Sequence, residues 1–139
     1  MKKILIDSGP LIALFDASDH YHEKSVDFIK SNKYQMVTTI ASITETLHML
    51  DFNRNAQIDF LEWIERGAVE IYPIEGDDFQ RLKELIEKYS DLPMDFADAC
   101  LVYVAEQFGI SDIVTVDRDF TIYRIKGKKS FKTILMGGG

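Results

Sequence analysis

The stretch "KKILIDSGPLIALF", residues 2–15, joins a short apolar run to a helix-like segment, with Asp7 at the junction. Isoleucine and leucine fill the positions before the aspartate, which predicts a strand that ends there. After it, Pro10 is tolerated in a first helical turn, and we expect Ser8 to cap the helix. The stretch therefore predicts a strand followed at once by a helix, with an acid at the carboxyl end of the strand.

The rest of the chain repeats this order of elements. Runs rich in apolar and β-branched residues predict further strands at 34–40, 68–74 and 112–116. Segments with helical periodicity lie between and beside them, at 19–29, 41–52, 56–67, 77–91 and 95–109. Two short strands, 123–125 and 131–135, are expected around a basic turn. Because strands separated by helices pair in parallel through right-handed crossovers, we predict an α/β fold, a three-layer α/β/α sandwich with a central parallel sheet.

Length and composition favour a single domain. With 139 residues, 46% of them hydrophobic, the chain can bury one core, so we expect one domain over 1–139 with Gly137–Gly139 flexible. No apolar run is long enough to span a membrane, and Asp7 and Pro10 interrupt the N-terminal run that a secretion signal requires. The one cysteine, Cys100, cannot form an internal disulfide. We therefore expect a cytoplasmic protein without a membrane partner.

The charge is distributed unevenly. A net charge of −7 disfavours a polyanionic partner such as nucleic acid. The segment 118–132, however, holds six basic residues against one acid, Asp119. Its local charge is +5, which leaves −12 for the rest of the chain. The basic residues are Arg118, Arg124, Lys126, Lys128, Lys129 and Lys132. This segment is either a solvated loop or a surface for phosphate groups.

Two predicted strands end in the same way, one at Asp7 and the other at Asp117. In open parallel sheets, ligands bind beyond the carboxyl ends of the strands. If the two strands are neighbours, their carboxylates share one cleft and resist joint ionisation unless a cation lies between them. Aspartates also end strands as turn or capping residues, and that reading stays open at this point.

Other acids follow helical patterns. Asp95 and Asp98 in "MDFADA" are three residues apart in a first helical turn, where Asp95 also fits as an N-cap. Glu45 lies on a mostly apolar helix, facing either the core or solvent. Close-spaced cysteine or histidine ligands and a phosphate-binding glycine loop are missing from the sequence, which excludes zinc-site and P-loop classes. Carboxylate chemistry on a hard cation, Mg²⁺ or Mn²⁺, remains.

With these acids, the chain resembles the PIN-domain family, especially its small VapC-type ribonuclease toxins, from Ile4 to about Phe120. Four segments in order carry the resemblance: "LIDSGPLIALFD" (5–16), "TIASITETLHML" (39–50), "MDFADACLVYVAEQFGI" (94–110) and "IVTVDRDF" (113–120). Each is unspecific alone, but all four at these separations are typical of the family. The family fold is a parallel α/β/α sandwich, which agrees with the fold predicted from the element order.

The resemblance implies a metal-dependent endoribonuclease that hydrolyses RNA phosphodiester bonds with Mg²⁺ or Mn²⁺. It assigns catalysis and metal binding to an acidic quartet: Asp7, Glu45, Asp98 and Asp117. Asp95 and Asp119 are nearby acids, and the hydroxyls of Ser8 and Thr115 match supporting positions. RNA contacts are expected from Arg118, Arg124, Lys126, Lys128 and Lys129.

Members of the family are often dimeric and are often inhibited by an antitoxin. We therefore expect the toxin of a type II toxin–antitoxin module, with a small antitoxin protein as partner and a homodimer as assembly. Two alternatives remain open: a PIN nuclease in RNA processing outside such modules, and an inactive PIN module that binds RNA or protein.

Overall fold

A five-stranded, fully parallel sheet forms the middle layer of the computed structural model, which describes residues 1–135. Its strands are β1 (Lys3–Ile6), β2 (Gln35–Thr38), β3 (Val69–Ile71), β4 (Asp112–Thr115) and β7 (Lys132–Leu135), in the order β3-β2-β1-β4-β7. A separate antiparallel hairpin consists of β5 (Arg124–Ile125) and β6 (Lys129–Ser130). The predicted flexibility of Gly137–Gly139 concerns residues outside the described range.

In the described part of the chain, six helices flank the sheet: α1 (Ser8–Phe15), α2 (His22–Ser31), α3 (Ile40–Met49), α4 (Arg54–Glu65), α5 (Phe79–Lys88) and α6 (Phe96–Phe108). Short 3₁₀ turns cover Gly76–Asp78 and Arg118–Thr121. Within residues 1–135, no helix is long and apolar enough to cross a bilayer. The arrangement is the predicted three-layer α/β/α sandwich.

Alternate side chains of β1 enter the two cores of the sandwich. Leu5 packs against α5 and α6 on one face of the sheet, whereas Ile4 and Ile6 pack against α1, α3 and α4 on the other. All three side chains are almost completely buried. Because helices cover both faces of the strand, its residues from Ile4 to Ile6 are all apolar, up to Asp7.

Several predicted element boundaries are wrong by a few residues. Asp7, not Ser8, is the N-cap of α1, since its carboxylate accepts the Ser8 backbone N–H. The second helix begins at His22 without a side-chain cap, three residues after the predicted start at 19, and Asp19 closes a turn by accepting the Tyr21 N–H. The second strand ends at Thr38 because Thr39 is the N-cap of α3, where its hydroxyl accepts the Ser42 N–H. Local hydrogen bonding by polar side chains decides these boundaries, and apolar periodicity does not contain that information.

The two ends of α6 are as predicted. Asp95 is the N-cap, and its Oδ1 accepts the Asp98 backbone N–H at 2.8 Å. Gly109 ends the helix with a φ of 66°, in the left-handed region that glycine adopts without steric cost. These caps fix the helix so that Asp98 lies in its first turn, at the site end.

Candidate active site

The strands that precede Asp7 and Asp117 are neighbours in the sheet, which is the condition for their carboxylates to share one cleft. β1 pairs with β4 in parallel, with Leu5 opposite Ile113 and Ile6 opposite Val114. The register continues beyond the strand end, because the Asp7 N–H donates to the Val114 carbonyl at 3.0 Å. Parallel neighbours present their carboxyl ends at one edge, so both aspartates lie there despite their separation along the chain.

Asp98 completes a cluster with these two residues. One carboxylate oxygen each from Asp7, Asp98 and Asp117 lies within 4.8 Å of the other two. We call these three residues the acid cluster. Asp7 and Asp98 are buried, whereas Asp117 is half-buried and opens the cluster towards solvent.

The hydroxyl of Thr115 connects two members of the cluster. Its Oγ1 donates to Asp7 Oδ2 at 2.9 Å and accepts the Asp117 backbone N–H at 3.0 Å. Asp7 Oδ1 in turn accepts the Ser8 N–H at 2.8 Å. Asp117 caps the following 3₁₀ turn by accepting the Asp119 N–H at 2.9 Å. These contacts fix both strand-end carboxylates in orientation.

Gly9 allows α1 to approach the end of β4 closely. A Cβ atom at this position would lie 2.6 Å from Cγ2 of Val116, far inside van der Waals contact. Val116 immediately precedes Asp117, so a side chain at position 9 would displace the segment that carries the third acid. No local pattern predicts this steric requirement, since Gly9 also fits an ordinary first-turn residue.

Glu45, the fourth predicted acid, lies beside the cluster but outside the group of three. Its Oε1 accepts a hydrogen bond from the Ser8 hydroxyl, and its charge contributes to the raised pKa of Asp7. Glu45 and Asp95 both line a groove of about 850 Å³ between α3 and α6. The residue is half-buried, so its side chain lies between the two orientations that the sequence left open, towards the core and towards solvent.

The electrostatics of the cluster disfavour three simultaneous negative charges. Burial, together with the charges of Asp117 and Glu45, raises the pKa of Asp7 to about 7 despite hydrogen bonds from Ser8 and Thr115. Burial, with the charges of Asp7 and Asp95, raises the pKa of Asp98 to about 8. At neutral pH the carboxyl group of Asp98, and in part that of Asp7, therefore retains its proton unless a cation compensates the charge.

The donor set of the cluster fits a hard divalent cation. Three carboxylate oxygens close enough to share one ion are the ligand type that Mg²⁺ and Mn²⁺ prefer. Asp7, Asp98 and Asp117 would hold the ion, with Glu45 adding negative charge next to Asp7. Asp119 is half-buried, and burial followed by the charge of Asp117 raises its pKa, which places it at the edge of the same negative region.

Sequence reasoning missed Tyr123. This residue was predicted only as part of a short strand, yet its ring is fully buried and its hydroxyl donates to Asp98 Oδ2 at 2.8 Å. Burial, followed by the hydrogen bond to Asp98, raises the pKa of Tyr123, so the phenol stays protonated and remains a donor. The two residues are 25 positions apart, and no local pattern relates them.

The basic residues do not join the cluster. Arg118 is exposed directly after Asp117, and Arg124 donates from Nη1 to three backbone carbonyls of residues 121–123. The β5–β6 hairpin exposes Lys126, and also Lys128 and Lys129. It is attached to α6, where Glu106 Oε2 accepts the Lys126 N–H at 2.8 Å. Glu106 follows Asp98 by eight residues, about 12 Å along the helix axis, so the hairpin lysines lie apart from the acids.

Comparison with known proteins identifies the family. The PIN domain model matches residues 4–126. Ribonuclease VapC26 of Mycobacterium tuberculosis is 25% identical over 134 residues, which cover 94% of this chain and 99% of that protein. The crystal structure of M. tuberculosis VapC20, described as a sarcin–ricin loop cleaving toxin, superimposes with a TM-score of 0.78 at 20% identity, covering 86% of this chain and 93% of that one. The likeness to VapC20 concerns the fold. The match to the family model extends from β1 to β5 and includes all three residues of the acid cluster. The chain therefore belongs to the PIN-domain family.

Proposed function

We propose that this chain is a Mg²⁺- or Mn²⁺-dependent endoribonuclease that hydrolyses RNA phosphodiester bonds. The observation that carries the proposal is the convergence of Asp7, Asp98 and Asp117 at the carboxyl edge of a PIN-family sheet. The ribonuclease name of the mycobacterial relative supports RNA as the substrate. We assign catalysis and metal binding to these three acids and Glu45, and a supporting role to Ser8, Asp95, Thr115 and Asp119.

The side chains act by holding charge in a defined place. When bound, a divalent cation supplies activation of a water molecule and stabilisation of negative charge on the phosphate oxygens. Thr115 keeps Asp7 oriented and couples it to the Asp117 backbone. Ser8 holds Glu45 beside Asp7. No nucleophilic side chain is required, since water attacks the phosphorus and the chain's residues only position the reacting groups.

RNA approaches a protein of net charge −7, so local positive charge has to guide it. We assign phosphate contacts to Arg118 next to the cluster and to the hairpin residues Lys126, Lys128 and Lys129. Arg124 was expected to contribute as well, but its guanidinium donates to backbone carbonyls, which favours a role in holding the loop before the hairpin.

We further propose that the protein is the cytoplasmic toxin of a type II toxin–antitoxin module, a homodimer inhibited by a small antitoxin protein. Two groups of the exposed large apolar side chains in the described residues line concave surfaces: Ile40, Phe79 and Phe96 along the groove, and Ile58 and Leu61 on α4. Exposed apolar patches mark protein interaction surfaces, and two such patches support two protein partners. Light scattering of the purified chain tests the dimer, and a monomer at micromolar concentration would contradict it.

Cleavage by purified protein tests the nuclease proposal. We expect RNA to be cleaved with Mg²⁺ or Mn²⁺ and preserved with a chelator, and cleavage to be lost in Asp7→Asn and Asp98→Asn while circular dichroism stays unchanged. Asp59→Asn is the matched control, because Asp59 is an exposed acid in α4. Cleavage that persists in both cluster variants would refute the assigned site.

The cellular role needs a separate experiment. We expect growth arrest when the chain is expressed, and relief when a small protein encoded beside its gene is expressed with it. The Asp98→Asn variant should be harmless. RNA cleavage without growth arrest would favour a PIN nuclease in RNA processing, and metal-independent RNA binding without cleavage would favour an inactive binding module.

A further inference from the structure

The hydroxyl of Tyr123 is a polar group in an otherwise apolar, aromatic part of the core. The ring is fully buried and makes edge contacts with Tyr89 and Phe120, each at a centroid distance of 5.0 Å. A buried phenol requires a hydrogen-bond partner, and here the partner is Asp98 Oδ2 at 2.8 Å. The aromatic packing fixes the ring, so the position of the hydroxyl is fixed as well.

This contact determines how Asp98 presents its carboxylate. Among the hydrogen bonds within residues 1–135, the one from Tyr123 is the only one made to that carboxylate. The other hydrogen bond between Asp98 and a side chain is made by its backbone N–H, which donates to Asp95 in the N-cap. With Oδ2 occupied by the phenol, Oδ1 stays free of protein donors and is available to a shared ion. Without the phenol, the side chain of Asp98 would be free to rotate about its Cα–Cβ bond.

The other two members of the acid cluster are oriented in the same way. Asp7 accepts a hydrogen bond from the Thr115 hydroxyl, and Asp117 accepts one from the Asp119 backbone. Each of the three carboxylates is therefore held by a donor from outside the cluster. Such donors around metal ligands change metal affinity by about 10- to 100-fold when they are removed.

We infer that Tyr123 is a positioning residue of the proposed nuclease site, whose hydroxyl holds Asp98 in the orientation that places its carboxylate within 4.8 Å of those of Asp7 and Asp117. The inference rests on the proposed function and names a residue that the four acidic segments do not include. Tyr123 acts through Asp98 and has no contact of its own with the substrate.

Tyr123→Phe tests this role, because it removes one oxygen and preserves the ring. Tyr89→Phe is the matched control. The Tyr89 ring is buried and packs against that of Tyr123. Its hydroxyl accepts the Arg124 N–H at 3.0 Å instead of contacting an acid. Calorimetric titration with Mn²⁺ gives the affinity without RNA. Initial rates with RNA at several Mn²⁺ concentrations give kcat and KM.

We expect Tyr123→Phe to weaken Mn²⁺ binding by about 10-fold or more, as for other partners of metal ligands. The kcat at limiting Mn²⁺ should fall, excess Mn²⁺ should restore part of it, and KM for RNA should stay unchanged. Tyr89→Phe should keep the Mn²⁺ affinity of the parent chain.

Mn²⁺ affinity of Tyr123→Phe within about twofold of the parent would overturn the inference and leave the proposed nuclease intact. A parent chain that neither binds Mn²⁺ nor cleaves RNA would overturn the proposed function, and this inference with it. If Tyr123→Phe does not fold, replacing Tyr123 with 4-aminophenylalanine keeps a donor at the same place. That variant should bind Mn²⁺ like the parent, and a folded variant without Mn²⁺ affinity would equally refute the role.

Discussion

Asp98→Asn should stabilise the metal-free protein at alkaline pH while it abolishes cleavage. The substitution removes one of three mutually repelling charges and keeps the size of the side chain. An amide oxygen placed at the position of Oδ2 still accepts the Tyr123 hydroxyl. Stability and activity therefore change in opposite directions, as expected for a site that accepts electrostatic strain in order to hold an ion.

The magnitude follows from the separation and from the pKa. The carboxylate oxygens of the acid cluster lie within 4.8 Å of one another. At that outer distance two unit charges repel each other by about 3.5 kcal/mol at an effective dielectric constant of ~20, and by about 1 kcal/mol in water. The pKa of Asp98 is raised to about 8 in the fold, chiefly by burial. A raised pKa means that the folded state binds the proton more tightly than the unfolded state does. The stabilising effect of that proton is complete below about pH 4 and is lost as the pH rises to about 8.

The asparagine does not titrate, so the variant keeps its stability over this range. We expect the free energy of unfolding of the variant, relative to that of the parent, to increase by about 2–4 kcal/mol between about pH 5 and about pH 8 in the presence of a chelator. Addition of Mg²⁺ at about pH 8 should stabilise the parent and leave the variant nearly unchanged, since only the parent binds the ion.

Urea unfolding followed by fluorescence of Trp63, the single tryptophan, measures these free energies. Asp59→Asn, which neutralises an exposed acid, should differ from the parent by no more than ~0.5 kcal/mol at either pH. A difference between Asp98→Asn and the parent that is the same at both pH values would refute the reasoning, because it would show that Asp98 does not change its protonation over this range.

Three further predictions concern Gly9 beside the site, the ion pair on α6 and the lysines of the hairpin. Gly9→Ala should lower both Mn²⁺ affinity and the thermal midpoint, because its Cβ meets Val116 at 2.6 Å; calorimetry and thermal unfolding that match the parent would contradict the steric argument. Arg81→Met should lower the free energy of unfolding in urea by about 2–4 kcal/mol, because Glu106, which accepts from Arg81 Nε and Nη2 at 2.9 and 2.8 Å, stays buried without its partner. Adding Glu106→Gln should recover part of that loss. No recovery would argue against an unpaired buried charge as the cause. Alanine at all three hairpin lysines should reduce the salt dependence of RNA binding, measured by anisotropy with the Asp98→Asn variant, by about 0.7 in log–log slope per lost contact; an unchanged slope would place the RNA elsewhere. These lysines are Lys126, Lys128 and Lys129.

Local patterns in the sequence predict most of the elements of this protein. Apolar runs that end in an acid identify β1 and β4, and the segment between Asp95 and Gly109 identifies α6 with both of its caps. These predictions succeed because strand and helix periodicity and capping depend on residues only a few positions apart. The same locality explains the error at Ser8, where the neighbouring Asp7 takes the capping position.

The site itself depends on contacts between distant residues. That β1 pairs with β4 rather than only with β2 brings Asp7 and Asp117 together, and no periodicity in either strand encodes this choice of neighbour. Tyr123 reaches Asp98 only because the segment after the 3₁₀ turn folds back against α6. The sequence by itself thus determined the α/β class and which acids end their elements. The tertiary structure decided which of those acids share one site and which buried hydroxyl orients them, because strand order and side-chain packing are properties of the folded chain as a whole.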